Sequence, residues 1–256
     1  MVHTDVFVER EFVRIGARAA VRSAGAVSIN VRRDRRGEYF ELEIPGQADA
    51  SVLDRSRADR HLLLLVKDQG VKSRFLCGHD ERHWFVAAIP EAERGVTNIR
   101  KAKVALQPLS VRKVARNLRA KNRIRRRNSA FVRQGEWFFV PVSDLQPNPG
   151  SVLHNERLSR GRGQSHWMEH AFRRGGVIVY VSRQHPNGLT QEEFDALSAD
   201  GRGRQTWQTM IRDAEVFAKG RVRHPDHATV VLHGWHRVFM NTESLALAMR
   251  NVAFLD

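Results

Sequence analysis

Apolar and polar residues alternate through much of the first ninety positions, which is the pattern of half-buried strands. The segments that predict strands are DVFVEREFVRI (5–15), AVSINVRR (26–33), EYFELEI (38–44), HLLLLV (61–66) and SRFLCGHDERHWFVAAIP (73–90). The last of these reads as two strands joined near Gly78–Arg82, and the turn signal DRRG separates the second and third. These segments predict a β-rich N-terminal half.

The hydrophobic period changes after Pro90. Val96, Ile99 and Lys103 have the spacing of a helix that ends before Pro108. Ser110 can cap a second helix. Its apolar stripe consists of Val111, Val114, Ala115 and Leu118. A basic helical segment is therefore expected in the middle of the chain.

The following residues return to a strand pattern. AFVRQGEWFFVPV (130–142) predicts a hairpin with Gln134 and Gly135 at its bend. SDLQPNPGS (143–151) has the composition of a linker. It suggests two domains: a β-rich unit over 1–145 that ends in the basic helix and aromatic hairpin, and a His-rich α+β unit over 146–256.

The C-terminal half predicts a mixture of helices and strands. QSHWMEHAFRRGG (164–176) and RQTWQTMIRDAEVF (204–217) are expected to be helices, and VIVYV (177–181) a buried strand. Thr190 and Glu193 have capping-box spacing for a further helix. After residue 218 we expect two or three strands and a closing helix capped by Thr242. Because no regular βαβ rhythm appears, the predicted fold class is α+β.

Composition narrows the class of protein. The chain has 256 residues and is 41% apolar, which is sufficient for a hydrophobic core. It has no run of eighteen apolar residues, and its first residues lack the zones of a secretion signal. Cys77 is the single cysteine, so an internal disulfide is excluded. We expect a cytoplasmic protein without a membrane partner, and leave its oligomeric state open.

Positive charge is concentrated in the middle of the chain. Between Glu93 and Glu136, forty-two residues contain fourteen Lys or Arg and no acid, which accounts for nearly all of the formal net charge of +15. The positive side chains of such a segment repel one another unless a partner supplies negative charge. Guanidinium groups match phosphate oxygens, so the segment predicts binding to the nucleic-acid backbone. The alternatives are a solvated surface, or pairing of these arginines with acids from the N-terminal half.

On one continuous helix, five of these arginines would share a face: Arg112, Arg116, Arg119, Arg123 and Arg127. The predicted nucleic-acid-binding residues are Arg112, Lys113, Arg116, Arg119, Lys121, Arg123, Arg125, Arg126, Arg127 and Trp137. RNA is favoured over DNA because an exposed aromatic hairpin suits unpaired bases. Since the apolar stripe stops at Leu118, residues 121–128 are expected to be loosely ordered until a partner binds.

Histidines are concentrated in the C-terminal half, where eight of the twelve lie between His154 and His236. In HWMEH, His166 and His170 would lie one helical turn apart with Glu169 beside them. This motif resembles the H-x-x-E-H motif of inverzincin metallopeptidases, which implies two histidine ligands on a helix. The resemblance covers about a dozen residues, and the flanking strands of that family are not recognisable, so a peptidase is not the preferred interpretation.

The segment RHPDHATVVL (223–232) contains a second ligand pattern. Pro225 and Asp226 suit a tight turn that brings His224 and His227 together. The predicted metal ligands are His224, Asp226, His227 and His233, with His233 preferred to His236 because the strand face of His236 is more apolar. Asp226 and His227, with Asn241 and Asn251 farther along the chain, also resemble the layout of His-Asn-His nucleases, although the strand pattern TVVLHGWHRVFM replaces their irregular loop.

Three functional interpretations follow from these patterns. The preferred one is a nucleic-acid-binding protein that contacts the phosphate backbone through residues 112–127. The second is a metal-dependent hydrolase, with a nuclease as the favoured case, in which C-terminal histidines hold a divalent ion. The third is an assembly protein whose basic segment docks on an acidic partner. No catalytic residue is assigned.

Overall fold

The computed structural model describes residues 2–158 and 165–246, with side chains from residue 6 onward. Strands dominate the described residues, and short helices are inserted between them without a βαβ order. The predicted α+β class is confirmed. The β-rich N-terminal half is confirmed with it.

The N-terminus is a helix where the sequence predicted a strand. Helix α1 spans Val2–Arg14, and its buried apolar residues are Val8 and Phe12, with Ile15 just beyond its end. These three are spaced four and three residues apart, which places them on one helical face. The predicted alternation was therefore the wrong period, because Val6, Phe7 and Val13 are exposed.

Two sheets follow this helix. Strands β1 (Ala19–Ser23), β2 (Ser28–Asp34) and β3 (Gly37–Ile44) form a three-stranded sheet in the order β1-β3-β2. Strands β4 (Asp49–Ser56), β5 (His61–Asp68), β6 (Val71–Asp80) and β7 (His83–Ile89) form an antiparallel meander. The predicted strands over 26–44 and 61–90 are all present.

Strand β5 explains why HLLLLV has no polar face. Leu62 and Leu64 pack into the core shared with α1 and the first sheet, whereas Leu63 packs against helix α2 (Ile99–Ala105). Both faces of the strand are covered, so a continuous apolar run is required. The predicted helix ending before Pro108 is α2.

The basic segment is broken into two short helices, α3 (Leu109–Ala115) and α4 (Ala120–Arg123). The predicted single helix with five arginines on one face is therefore wrong. The guanidinium of Arg123 donates to the carbonyl oxygens of Leu118 (2.9 Å) and Arg116 (2.6 Å), which are free because the helix ends there. Helix α3 begins one residue before Ser110, directly after Pro108.

The C-terminal half is built on a six-stranded antiparallel sheet. Its strands are β8 (Val132–Gln134), β9 (Trp137–Pro141), β10 (Leu153–Leu158), β11 (His166–Arg174), β14 (Glu215–Arg223) and β15 (Val230–Met240), in the order β10-β11-β14-β15-β9-β8. The predicted hairpin around Gly135 is confirmed as β8–β9. The proposed division at residue 145 stays a prediction, although β9, which precedes it, pairs with β15.

Two predicted helices in this half are strands. HWMEHAFRR is strand β11, in which His166, Met168 and Ala171 are buried. RQTWQTMIRDAEVF contributes to β13 (Gln208–Arg212) and β14. In both segments, pairing with neighbouring strands outweighs a helical spacing that is weak in sequence.

A two-stranded ribbon of β12 (Val177–Val181) and β13 stands apart from the six-stranded sheet. Only Val179 of β12 is fully buried, so VIVYV is a strand but not a buried one. Helices α5 (Gln191–Asp195) and α6 (Ala199–Gly203) connect the two strands, and the Thr190–Glu193 capping box is confirmed. Thr242 begins a 3-10 turn, and the rest of the predicted closing helix lies outside the described residues.

Candidate metal centre and basic surface

The loop between β14 and β15 carries two histidines close together. The ring centroids of His224 and His227 are 4.7 Å apart. The backbone N–H of Asp226 donates to His224 Nδ1 at 3.1 Å, which folds the loop back on itself. The turn residues therefore do bring these two imidazoles together.

A third imidazole comes from the start of β11. Trp167 pairs with Arg223 across the sheet, so the preceding residue, His166, lies beside His224. The ring centroid of His166 is 4.3 Å from that of His224 and 5.8 Å from that of His227. One ring nitrogen from each of the three lies within 4.8 Å of the others, which is a grouping that could hold a metal ion.

His166 is the buried member of this cluster. It is 1% exposed, and neither ring nitrogen has a hydrogen-bond partner among the described residues. A buried polar atom without a hydrogen-bond partner costs about 1–3 kcal/mol of folding free energy. A ligand that binds the nitrogens of His166 would therefore stabilise the folded protein. Nδ1 of His227 also has no hydrogen-bond partner in this part of the chain.

The turn of the β8–β9 hairpin covers the cluster. A Cβ atom at Gly135 would lie 3.0 Å from His227 Nε2 and 3.5 Å from His166 Nε2, and its φ of +56° favours glycine. The Nε2 atoms of both histidines therefore point toward the same place. Gln134 holds the turn there by donating to the carbonyl oxygen of Ala228 at 2.7 Å. Since β8 is at the far edge of the sheet from β11, the sheet must curl to bring these parts together.

The electrostatics favour neutral imidazoles. Burial, and then the charges of His224 and His227, lower the pKa of His166 from 6.5 to about 3. Burial also lowers the pKa of His227, which the carboxylate of Glu81 opposes. A metal ligand must be unprotonated, so both rings are ready to bind near neutral pH.

Glu81, at the tip of the β6–β7 hairpin, reaches the same loop. Its Oε2 accepts the backbone N–H of Ala228 at 2.7 Å and lies 3.7 Å from His227 Nδ1. Its Oε1 is ion-paired with Arg126, which also pairs with Asp80. Glu81 itself has φ +40°, a left-handed backbone conformation that is uncommon for a residue other than glycine.

Two predicted ligands are not part of the cluster. Asp226 Oδ1 lies 3.3 Å from His83 Nε2, and Asp226 does not belong to the three-imidazole group. His233 is exposed on β15 and does not belong to the three-imidazole group. Asp226 and His233 are replaced by His166, because sheet pairing rather than proximity in sequence selects the third ring.

The HWMEH segment does not form the predicted helical pair. His170 Nδ1 lies 3.2 Å from His154 Nδ1 on the neighbouring strand, away from the three-imidazole cluster. The carboxylate of Glu169 accepts the backbone N–H of Arg221 at 2.8 Å. The helical arrangement that the inverzincin resemblance implied is therefore absent. The HWMEH motif pointed to His166 as a ligand, but it paired this histidine with His170 rather than with His224 and His227.

A shallow open depression of about 410 Å³ lies beside the cluster. Its lining residues are Asn155, Trp167, Arg223, His224 and Pro225. Arg223 donates to Asn155 Oδ1 at 2.7 Å on this rim. The depression gives a solvent-accessible approach to His224 and places a cation next to it.

The predicted nucleic-acid-binding residues divide into two groups. Three are used internally: Arg112 pairs with Glu93, Arg123 binds backbone carbonyls, and Arg126 pairs with Asp80 and Glu81. The other six cations are exposed and have no ion pair within the described ranges. They are Lys113, Arg116, Arg119, Lys121, Arg125 and Arg127.

The aromatic hairpin is not a stacking surface. Trp137 is 7% exposed and packs with Phe139 in the core of the six-stranded sheet. Phe138 and Phe131 pack on the opposite face against Val111. The prediction that Trp137 stacks on a base is not compatible with its burial, and the argument for RNA over DNA is lost with it.

Comparison with known proteins found no matching family model, no matching curated protein and no matching solved structure. No helix within the described ranges is both long and apolar enough to cross a bilayer. The fold and the site thus describe an α+β protein with a candidate three-histidine metal centre and a basic surface.

Proposed function

We propose that the protein binds the phosphate backbone of nucleic acid through the six exposed cations of residues 113–127, named here the basic surface. The observation that carries this proposal is that these six side chains have no acidic partner within the described residues. Exposed cations within one short segment repel each other, and the negative charge of a polyanion relieves that repulsion. The counterions that the polyanion releases also favour binding.

The three internally paired arginines support the same proposal. Arg112, Arg123 and Arg126 tie the segment to Glu93, to its own carbonyls and to the β6–β7 hairpin. These contacts fix the backbone that carries the remaining cations, so the segment is not a flexible extension. An ordered backbone lowers the conformational entropy that is lost when these side chains bind nucleic acid.

The test is the salt dependence of binding to a single-stranded RNA and a single-stranded DNA of the same sequence, about 20 nucleotides long. If six phosphates of a single strand are contacted, raising salt from about 50 to 200 mM weakens binding about 300-fold. Replacing Arg116, Arg119, Arg125 and Arg127 with Gln is expected to reduce the slope of log affinity against log salt by about 3.

A matched control removes the same charge elsewhere. Arg35, Arg36, Arg57 and Lys72 are exposed on the N-terminal sheets, and changing them to Gln should leave the slope nearly unchanged. An equal loss of slope in both variants would mean that net charge alone drives association. Absence of binding to either nucleic acid at low salt would overturn the proposal and favour an acidic protein partner.

A second candidate function is metal-dependent hydrolysis of a phosphodiester, as in a nuclease. The specific observation that favours it is the three-imidazole cluster beside the depression with Arg223 on its rim. A divalent ion held by three histidines keeps one position for water and lowers the pKa of that water. Arg223 on the rim would offer its guanidinium to a phosphate oxygen.

Hydrolysis is tested with metal-loaded protein and end-labelled RNA and DNA. Cleavage that is lost in His227→Ala and retained in His233→Ala would support this candidate. Equal residual cleavage in the two variants would identify a contaminating nuclease and reject it.

A further inference from the structure

We propose that His166, His224 and His227 bind one zinc ion, and that Glu81 is a positioning residue that orients His227 for it. This inference supplies the ion that the hydrolase candidate requires, but it does not depend on hydrolysis or on nucleic-acid binding.

The donor set matches zinc. Three imidazole nitrogens, with no thiolate and no carboxylate among them, suit a borderline-soft divalent ion rather than magnesium or calcium, which prefer oxygen. Three protein ligands also leave the fourth tetrahedral position open toward water. The shallow depression beside His224 is where that position can reach solvent.

The geometry requires only small movements. Zinc–nitrogen bonds of about 2.0–2.1 Å place tetrahedral ligands about 3.3 Å from one another. Here the nitrogens lie within 4.8 Å, so the rings must close by at most about 1.5 Å. Rotation of side chains on a loop and at a strand end can supply this closure.

The unpaired atoms point to a ligand at this place. Both nitrogens of His166 lack partners in the described chain, although the residue is 1% exposed. Its Nε2 and that of His227 face the same point below Gly135. A cation between these two atoms satisfies a nitrogen on each ring.

Glu81 accounts for the orientation of His227. A metal-bound histidine usually donates its other ring N–H to a carboxylate or carbonyl, which fixes the tautomer. Glu81 Oε2 lies 3.7 Å from His227 Nδ1, on the side of the ring away from Nε2. A closure of less than an ångström forms that hydrogen bond, and Nε2 is then the atom that binds the ion.

His224 is the adjustable ligand. Its Nδ1 accepts the N–H of Asp226, so in the neutral ring the proton is on Nε2. Binding zinc requires His224 to release this hydrogen bond or to move its proton. We therefore expect the loss of His224 to weaken binding less than the loss of His166 or His227.

The test begins with metal-free full-length protein titrated with zinc by calorimetry, and with cobalt(II) by visible absorption. One equivalent of each is expected to bind, with the absorption bands of tetrahedral cobalt. His166→Ala and His227→Ala should each weaken binding by more than about 100-fold, because a lost ligand costs more than a lost outer partner. His154→Ala and His233→Ala are the controls and should bind as the parent does.

Glu81→Gln tests the positioning role. It should weaken zinc binding by about 10–100-fold and shift the cobalt bands, because the amide is a poorer acceptor for His227 Nδ1–H. A merely structural role would change the unfolding temperature but not the spectrum of bound cobalt. Unchanged affinity and spectrum would remove Glu81 from the site.

Gly135→Ala tests the location of the ion without removing a ligand. The new Cβ would lie 3.0 Å from His227 Nε2, so zinc affinity should fall. Gly95→Ala is the matched control, because Gly95 has a similar φ of +74° and nothing within 4 Å. Absence of stoichiometric zinc binding in the parent, or equal affinity in the parent and in His166→Ala, would overturn the proposal. Zinc binding without cleavage would reject only the hydrolase.

Discussion

At the scale of single residues, His166 is a buried histidine whose two ring nitrogens have no hydrogen-bond partner among the described residues. Its ring is enclosed by the six-stranded sheet, by Trp137 at a centroid distance of 6.4 Å, and by the other two imidazoles. Burial makes the protonated ring unfavourable, which is why its pKa falls to about 3. A neutral ring is required for metal binding, but a ring that stays neutral in the folded state lowers folding stability at low pH.

The lowered pKa of His166 predicts that the metal-free protein loses stability on acidification. Between pH 6.5 and about 3 the unfolded state binds a proton at this residue and the folded state does not, so stability falls as pH falls through this range. At pH 5 the contribution is about 2 kcal/mol. Urea unfolding of the parent and of His166→Asn at pH 7 and pH 5, with chelator, measures it.

The comparison uses the difference between the two pH values within each protein, so a general destabilisation by the substitution cancels. His166→Asn should lose about 2 kcal/mol less than the parent on going to pH 5. An equal loss in both proteins would show that other groups cause the acid sensitivity.

At the scale of elements, the basic segment shows how arginine side chains replace missing backbone contacts. The break after α3 leaves carbonyls free, and Arg123 binds two of them. Asn128 continues the turn by accepting the N–H groups of Ala130 and Phe131. The sequence-based expectation that residues 121–128 are loose does not fit these contacts, because polar side chains supply the order that apolar ones do not.

This arrangement predicts a specific effect on hydrogen exchange. The amides of Asn122 and Arg125 have backbone acceptors at 2.8 and 3.2 Å and should exchange slowly in the free protein. Arg123→Ala should accelerate both, because it removes the side chain that closes the break. Exchange measured by mass spectrometry on peptides from 116–128 would show the change.

Arg125→Ala is the control for that experiment, since Arg125 is exposed and its side chain makes no hydrogen bond or ion pair within the described ranges. It removes the same charge and should leave exchange unchanged. Rapid exchange of the segment in the parent would instead support the expectation that residues 121–128 are loosely ordered until a partner binds.

At the scale of the whole molecule, the β6–β7 hairpin of the N-terminal meander contacts the β14–β15 loop through three successive residues. Arg82 donates to the carbonyl oxygen of Pro225 at 3.1 Å, His83 lies beside Asp226, and Glu81 accepts the N–H of Ala228. The candidate metal centre is therefore built from both halves of the chain. The basic surface is attached to the same hairpin through Arg126.

Because the exposed cations do not include a member of the histidine cluster, metal binding and nucleic-acid binding are expected to be separable. His227→Ala should abolish stoichiometric zinc while changing nucleic-acid affinity and its salt slope by less than about twofold. Metal analysis and a binding titration on the same preparation measure both. A parallel loss of the two would mean that the centre organises the basic surface through Glu81 and Arg126.

Some features follow from the sequence alone because they depend on neighbouring residues. The Thr190–Glu193 capping box, the turn that brings His224 to His227, and the charge between Glu93 and Glu136 are local properties. The α+β class also follows, since the strand patterns of the N-terminal half are strong. Weak helical spacing was misleading in β11 and β13, where pairing with other strands determined the conformation.

Other features were decided only by the tertiary structure because they depend on residues far apart in the chain. His166 joins the cluster through the pairing of β11 with β14, and the curl of the sheet brings Gly135 over it. Asp226 lies outside the cluster, and its Oδ1 is 3.3 Å from Nε2 of His83 in the other half of the chain. Local pattern specifies which side chains can ligate or bind phosphate, whereas long-range packing decides which of them meet and which are already satisfied.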